Sequence, residues 1–144
     1  MNYRDMRAGE EHSVLDIVLR GFNEFVRPDF TEQGVAEFMR AVNEFVVEHL
    51  DGHHVTIAEE NGRLVGMIDV RDGTHVSLFF VEPSVRGRGV GRALMTHAFD
   101  GYNGPVTVNS SRWAVPAYER LGFEVTGPEA EFLGIRSVPM VKRA

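Results

Sequence analysis

The sequence predicts a mixed α/β (α+β) fold, and three observations carry that prediction. Apolar residues keep helical spacing through the first fifty positions and change to strand-like runs from His54 onward. Glu60-Asn61-Gly62 joins two such runs, and Asn-Gly supplies the left-handed residues that a tight hairpin turn needs. From His75 to Ala98 a strand, a glycine-rich turn and a helix follow one another.

In chain order, Tyr3 to Arg7 reads as a short first strand. Glu10 to Phe25 reads as a helix, with acids in its first turn and Val14, Leu15, Val18 and Phe22 on one face. Arg27-Pro28-Asp29 ends it, because the residue before a proline leaves the helical region. Thr31 is the N-cap of a second helix, Glu32 to Leu50, whose apolar residues Val35, Phe38, Met39, Val42, Phe45 and Val46 form a packing stripe. His54 to Glu59 and Leu64 to Val70 are the hairpin strands, and Asp72-Gly73 turns the chain into the strand His75 to Val81. Glu82-Pro83-Ser84 breaks that strand, since proline has no N–H to give a ladder. The next helix carries Val90, Leu94 and Ala98 on one stripe. Gly101 to Pro105 is a turn, Val106 to Asn109 a strand, and Ala114 to Leu121 a short helix stopped by Gly122. Phe123 to Thr126 and Ile135 to Val141 are paired strands. The order is β-α-α-β-β-β-α-β-α-β-β, with no repeat or linker, which predicts one domain over residues 1–144.

Composition narrows the function. At 43% hydrophobic and 25% charged residues, the chain has the make-up of an ordinary globular domain. No apolar run has the length of a membrane span, and Met1-Asn2-Tyr3-Arg4-Asp5 lacks a signal-peptide pattern, so the expectation is a cytoplasmic protein without a membrane partner. Zero cysteines exclude disulfides, a thiol nucleophile and a cysteine zinc site. A formal net charge of −6 argues against general nucleic-acid binding. An acidic body with a local basic loop suits an anionic cofactor and a cationic acceptor.

That loop is Arg86-Gly87-Arg88-Gly89-Val90-Gly91. Glycines let backbone N–H groups converge, and the first turn of the following helix adds unpaired N–H groups, so the stretch is an anion site. A P-loop needs four residues between its glycines and then Lys-Ser/Thr, which are lacking. A dinucleotide fingerprint needs G-x-G-x-x-G, whereas the spacing here is G-x-G-x-G. A simple helix cap needs one glycine, not three.

V-x-P-x-x-R-G-x-G-x-G after a strand resembles the acyl-CoA pyrophosphate loop of the GNAT superfamily of N-acyltransferases, with Arg86, Gly89 and Gly91 at its R/Q-x-x-G-x-G/A positions. About thirty residues on, Ala114-Val115-Pro116-Ala117-Tyr118-Glu119-Arg120-Leu121-Gly122-Phe123 resembles the family's A-x-x-x-Y-x-x-L-G-F helix. The resemblance implies a central mixed, mostly antiparallel sheet with helices on both faces. It implies acetyl-CoA as cosubstrate and a primary amine as acceptor, and a homodimer is common in the family. By the same resemblance Arg86, Gly87, Arg88, Gly89, Val90, Gly91 and Arg92 surround the pyrophosphate. Backbone groups of Phe79, Phe80 and Val81 bond the pantetheine arm, and one of their N–H groups polarises the thioester carbonyl. Tyr118 falls on the general-acid position, where a phenol protonates the leaving thiolate; a packing tyrosine is the other reading. The family's asparagine seven residues before that tyrosine is here Ser111, with Asn109 two residues earlier, and either can bond the pantetheine amides. The first fifty residues match by element order alone, in the part that shapes the acceptor pocket.

His75 is the candidate general base, on the strand where some family members carry a glutamate; strict alternation puts it with Ser77, Phe79 and Val81 on one face. A water chain is the alternative. His53-His54 and His97 make no metal site, because adjacent strand residues face opposite ways and no acid pair completes one. Asp29, Glu129 and Glu131 are candidate contacts for a cationic acceptor. A non-catalytic acyl-CoA binder of the same fold is the rival function.

Overall fold

The computed structural model describes all 144 residues. Its organising unit is the antiparallel run β2 (His53–Glu60), β3 (Arg63–Arg71) and β4 (His75–Val81). The β2–β3 turn is made by Asn61 and Gly62, with φ of 52° and 78°, the left-handed pair the sequence supplies. The short strand β1 (Asn2–Asp5) flanks β2 antiparallel. On the other side β4 meets β5 (Val106–Ser110) in parallel, and β8 (Ile135–Lys142) continues the sheet antiparallel to β5. β6 (Glu124–Val125) pairs with β8, and so does β7 (Ala130–Phe132). The sheet is therefore mixed and mostly antiparallel, in the order β1-β2-β3-β4-β5-β8-β6.

The β4–β5 contact positions the site. Only two residue pairs form, His75 with Thr107 and Val76 with Val108. Beyond them the strands part, leaving a fork with the second half of β4 on one arm.

Helices cover both faces. α1 (Glu11–Gly21) and α2 (Glu32–Val42) lie over one, on a core of Val14, Val18, Val42, Val46, Ile57, Met67 and Leu78. α3 (Val90–Ala98) and α4 (Val115–Arg120) lie over the other, on Val65, Ile68, Val76, Leu94, Val108, Tyr118 and Met140. Thr31 caps α2 as its sequence suggests, Oγ1 accepting from Gly34 N–H at 3.1 Å. Pro116 sits in the first turn of α4, where no N–H is missed.

Three features depart from the sequence reading. α1 and α2 each end in a π turn, Phe22–Val26 and Asn43–Val47; a single five-residue turn is too short to set a period of its own, so it is silent in the sequence. β7 is an additional strand, turned into β8 by Leu133 and Gly134 with φ of 53° and 82°. Finally, β4 is bulged: Val76 pairs with Val70 and Leu78 with Asp69, so Ser77 has no partner. The bulge reverses the alternation below it.

Candidate active site

The glycine loop joins a short 3₁₀ turn, Pro83–Val85, to the start of α3. Gly87 and Gly89 have φ of 79° and 78°, and a Cβ on either would meet nothing within 4 Å. Their requirement is thus the backbone conformation itself, which glycine adopts freely. Gly91 answers a different need: a Cβ there would lie 3.2 Å from Phe79 Cζ, so its absence lets α3 approach β4. No side chain caps α3, so its first N–H groups face the loop unpaired by capping, with the positive end of the helix dipole behind them.

The three loop arginines are engaged by different elements. Arg86 Nη2 donates to Val81 O at 3.2 Å. Arg88 pairs with Glu60 on the β2–β3 hairpin at 2.5 Å and holds that carboxyl below its ordinary range. Arg92 donates to the Arg120 carbonyl at 2.9 Å and closes the C-terminal end of α4.

Along β4, Glu82 N–H donates to Val65 O at 2.9 Å. Antiparallel alternation then turns the Phe80 backbone toward β3, and the N–H and C=O groups of Phe79 and Val81 outward to the fork. Of the three residues expected to bond the pantetheine arm, two present their backbone to the open edge, and Phe80 presents its own to β3.

Tyr118 is 6% exposed and packs against Phe79 and Phe123 at centroid distances of 5.8 and 5.3 Å. Its backbone is fixed by the helix stop: Leu121 and Phe123 N–H both donate to its carbonyl at 3.0 Å, around Gly122 with φ of 97°. The hydroxyl has no hydrogen-bond partner in the protein, yet it is not fully occluded. Burial pushes its pKa up, which keeps the phenol protonated at neutral pH.

Asn109 and Ser111 separate cleanly. Ser111 Oγ accepts from Ala114 N–H at 3.2 Å and shapes the entry to α4. Asn109 is exposed on β5 with its amide unengaged.

His75 lies elsewhere. Because of the Ser77 bulge it shares a face with Thr107, to whose Oγ1 it is hydrogen-bonded at 2.8 Å, while Phe79 and Val81 pack on the α3–α4 side. It opens β4, six residues and roughly 20 Å of strand from Val81. Burial, with Arg71 and His53 nearby, lowers its pKa to about 4. The expected common face of His75, Phe79 and Val81 is corrected by the bulge, and the structure does not bring His75 to the loop or to Tyr118.

On the α1 side, a cavity of about 490 Å³ opens beside Phe80, Val81 and Glu82, with Ile17, Gly21 and Glu24 among its walls. Gly21 is needed there, since a Cβ would stand 2.6 Å from the Phe80 ring. Glu82 is buried and held by Arg20 and, at 3.0 Å, by Arg63. The acids singled out in the sequence are neutralised in place: Arg112 pairs with Glu129 at 2.7 Å and Asp29 at 3.4 Å, and Arg136 with Glu131 at 3.4 Å. Glu24, which sequence reasoning passed over, has no ion-pair partner and lines the cavity. Nothing in an exposed helix-end glutamate marks it before the fold is known. Phe25 and Trp113 were also missed, although Trp113 is the chain's only tryptophan and immediately precedes the Tyr118 motif. No group of three or more His, Cys, Asp or Glu residues forms a metal cluster, and no helix is long and apolar enough to cross a membrane.

Comparison with known proteins identifies the arrangement. The chain is 34% identical over 104 residues to the peptidyl-lysine N-acetyltransferase YjaB of Escherichia coli K12, covering 69% of each chain. It is 42% identical over 65 residues to the Salmonella typhimurium protein of that name, covering 43% of this chain and 45% of that one; that match thus spans less than half of the relative's length. The solution structure of E. coli YjaB superposes with a TM-score of 0.75 at 27% identity, covering 97% of this chain and 94% of that one. The crystal structure of a GCN5-related N-acetyltransferase from Rhodopseudomonas palustris superposes with a TM-score of 0.80 at 20% identity, covering 99% and 95%. A family model described as Acetyltransferase (GNAT) domain matches residues 26–144, and with the glycine loop, the forked β4 and the Tyr118 helix in place the chain belongs to the GNAT family of acetyl-CoA-dependent N-acetyltransferases.

Proposed function

We propose that the protein transfers the acetyl group of acetyl-CoA to the ε-amine of a lysine side chain, by direct attack with Tyr118 as general acid. Support for the acceptor comes from two directions. The relatives are named peptidyl-lysine N-acetyltransferases, and Glu24 gives the cavity beside β4 an unpaired carboxylate for a cationic chain.

The pyrophosphate sits on the glycine loop and the α3 N-terminus. The pantetheine arm carries amides and runs extended, so it pairs with an open strand edge as an added strand does; Phe79 and Val81 offer that edge. Asn109 bonds it from the β5 arm of the fork. A neutral lysine amine attacks the thioester carbon, the C–N bond forms, and the developing oxyanion takes an N–H from the β4 edge. The C–S bond then breaks and Tyr118 gives its proton to the leaving sulfur. The amide nitrogen loses its extra proton to water, and Tyr118 regains one from solvent.

One observation carries the acid role: a buried phenol whose hydroxyl has no protein partner and whose raised pKa keeps it protonated. Its contact with solvent leaves that hydroxyl free to give its proton to a leaving thiolate and to regain one from water. Tyr118→Phe keeps the ring and removes the proton. Turnover of a lysine peptide is expected to fall about 10²-fold or more, with acetyl-CoA affinity and thermal midpoint nearly unchanged. Unchanged turnover, where chemistry limits the rate, removes Tyr118 from the mechanism; a large stability loss assigns the hydroxyl to packing.

A further inference from the structure

The outward edge of β4 is already engaged at one point. Besides its hydrogen bond to Val81 O, the Arg86 guanidinium lies over two rings: its central carbon is 4.6 Å from the Phe25 centroid and 4.9 Å from that of Trp113. The rings stack on each other, centroids 4.3 Å apart and planes 13° from parallel. Phe25 belongs to the π turn that ends α1, and Trp113 to the turn between β5 and α4. The pair therefore joins the end of α1 to the turn that follows β5, and Arg86 reaches onto it from the glycine loop. Arg86 stays exposed as a residue, while partial burial of its guanidinium lowers its pKa, with Glu24 acting in the opposite sense.

That carbonyl is one of two that β4 turns toward the fork, the other being that of Phe79. An amide-bearing arm laid along the edge needs it, and a guanidinium standing over it takes the same side. We propose that Phe25 and Trp113 form a dock for the Arg86 side chain, and that the pantetheine arm of acetyl-CoA displaces Arg86 from Val81 as it seats. This rests on the reading that the arm pairs with the edge of β4. Phe25 and Trp113 are then positioning residues that act through Arg86.

The consequence is unusual in sign. The dock holds Arg86 where the arm must go, so it opposes cofactor binding, and losing a ring should tighten it. An exposed cation–π contact is worth a factor of about two to five. Phe25→Leu keeps apolar bulk and loses the ring, so its acetyl-CoA dissociation constant should fall about two- to fivefold. A residue that only packs the groove would give the reverse.

The sole tryptophan supplies the second reading. Acetyl-CoA is titrated into the wild-type protein, Phe25→Leu and Arg86→Met, followed in parallel by calorimetry and by Trp113 emission. The wild-type emission should shift in step with the heat. Arg86→Met, which lacks the charge, should show emission close to that of the saturated wild type before any acetyl-CoA is added, and should move little on saturation. The dock is overturned by a wild-type emission that stays fixed while heat reports saturation. It is equally overturned by an Arg86→Met shift as large as the wild type's, which would put the signal in cofactor touching the indole, or by equal or weaker binding to Phe25→Leu. Absence of binding heat in all three proteins overturns the reading of the β4 edge, and the dock with it.

Discussion

At the scale of single residues, the site separates groups that the sequence leaves equivalent. Asn109 and Ser111 are both polar and close to the family's asparagine position, but Ser111 spends its hydroxyl on the Ala114 N–H and Asn109 does not. Asn109→Ala should therefore weaken acetyl-CoA binding severalfold at constant stability, whereas Ser111→Ala should lower the thermal midpoint, at a cost of about 0.5–2 kcal/mol for a lost helix-entry bond, and spare affinity. Calorimetry and thermal melts on the two variants check this, and the opposite pattern would exchange their roles. His75 was legible as a titratable residue on β4 but not as to its face, because one unpaired residue, Ser77, inverts the alternation and leaves no trace in the apolar pattern. Its folded pKa near 4 lies below the ordinary 6.5, so the fold favours neutral His75. That contribution is complete above pH 6.5 and is lost as pH falls toward 4. Urea midpoints of wild type and His75→Asn should converge across that window, with the wild type showing the steeper acid loss; parallel curves would mean that His75 titrates alike in folded and unfolded chains.

Among elements, legibility follows the strength of the local constraint. The strand, glycine turn and helix from His75 to Ala98 are written into the sequence because Pro83 ends the strand and two glycines adopt left-handed conformations. β7 is not, since three exposed residues, Ala130 to Phe132, form a strand only because β8 offers an edge. The fork between β4 and β5 is also beyond the sequence: it depends on how few pairs two separate strands make. The same non-local dependence governs the contact between α2 and the β7–β8 turn. Gly34 lies against Gly134, and a Cβ on Gly34 would come within 2.0 Å of the Gly134 carbonyl oxygen. Helix propensity alone predicts that Gly34→Ala stabilises α2 by up to about 1 kcal/mol. The contact predicts a net loss of about 1–3 kcal/mol, because backbone must shift on both sides. Chemical denaturation decides the sign, and a gain in stability would show that the turn moves away freely.

For the molecule as a whole, the charge balance sets a problem that the loop has to solve. The chain carries a formal −6, so its overall field repels an anionic cosubstrate, and binding depends on a local reversal of sign. Arg86, Arg88 and Arg92 supply that reversal, but Arg88 is paired with Glu60 from a hairpin distant in sequence. The phosphates of acetyl-CoA must therefore compete with a carboxylate for Arg88. Two effects of salt follow, with opposite signs. Screening the net charge relieves long-range repulsion, while screening the loop weakens short-range attraction; at close contact the second effect is the larger. Affinity for acetyl-CoA should accordingly fall as salt rises, and Arg88→Ala should flatten that slope. Glu60→Gln removes the competitor and leaves the arginine, so it should tighten binding at low salt by at most a few-fold, as expected for a solvent-screened ion pair. Both side chains of the pair reach solvent, so the hairpin folds without it and the thermal midpoint of the variant should change little. Isothermal titration at several salt concentrations reads all three proteins on one scale. If Arg88→Ala keeps the wild-type slope and Glu60→Gln the wild-type affinity, Arg88 points away from the phosphates, and the sign reversal rests on Arg86, Arg92 and the N–H groups of α3.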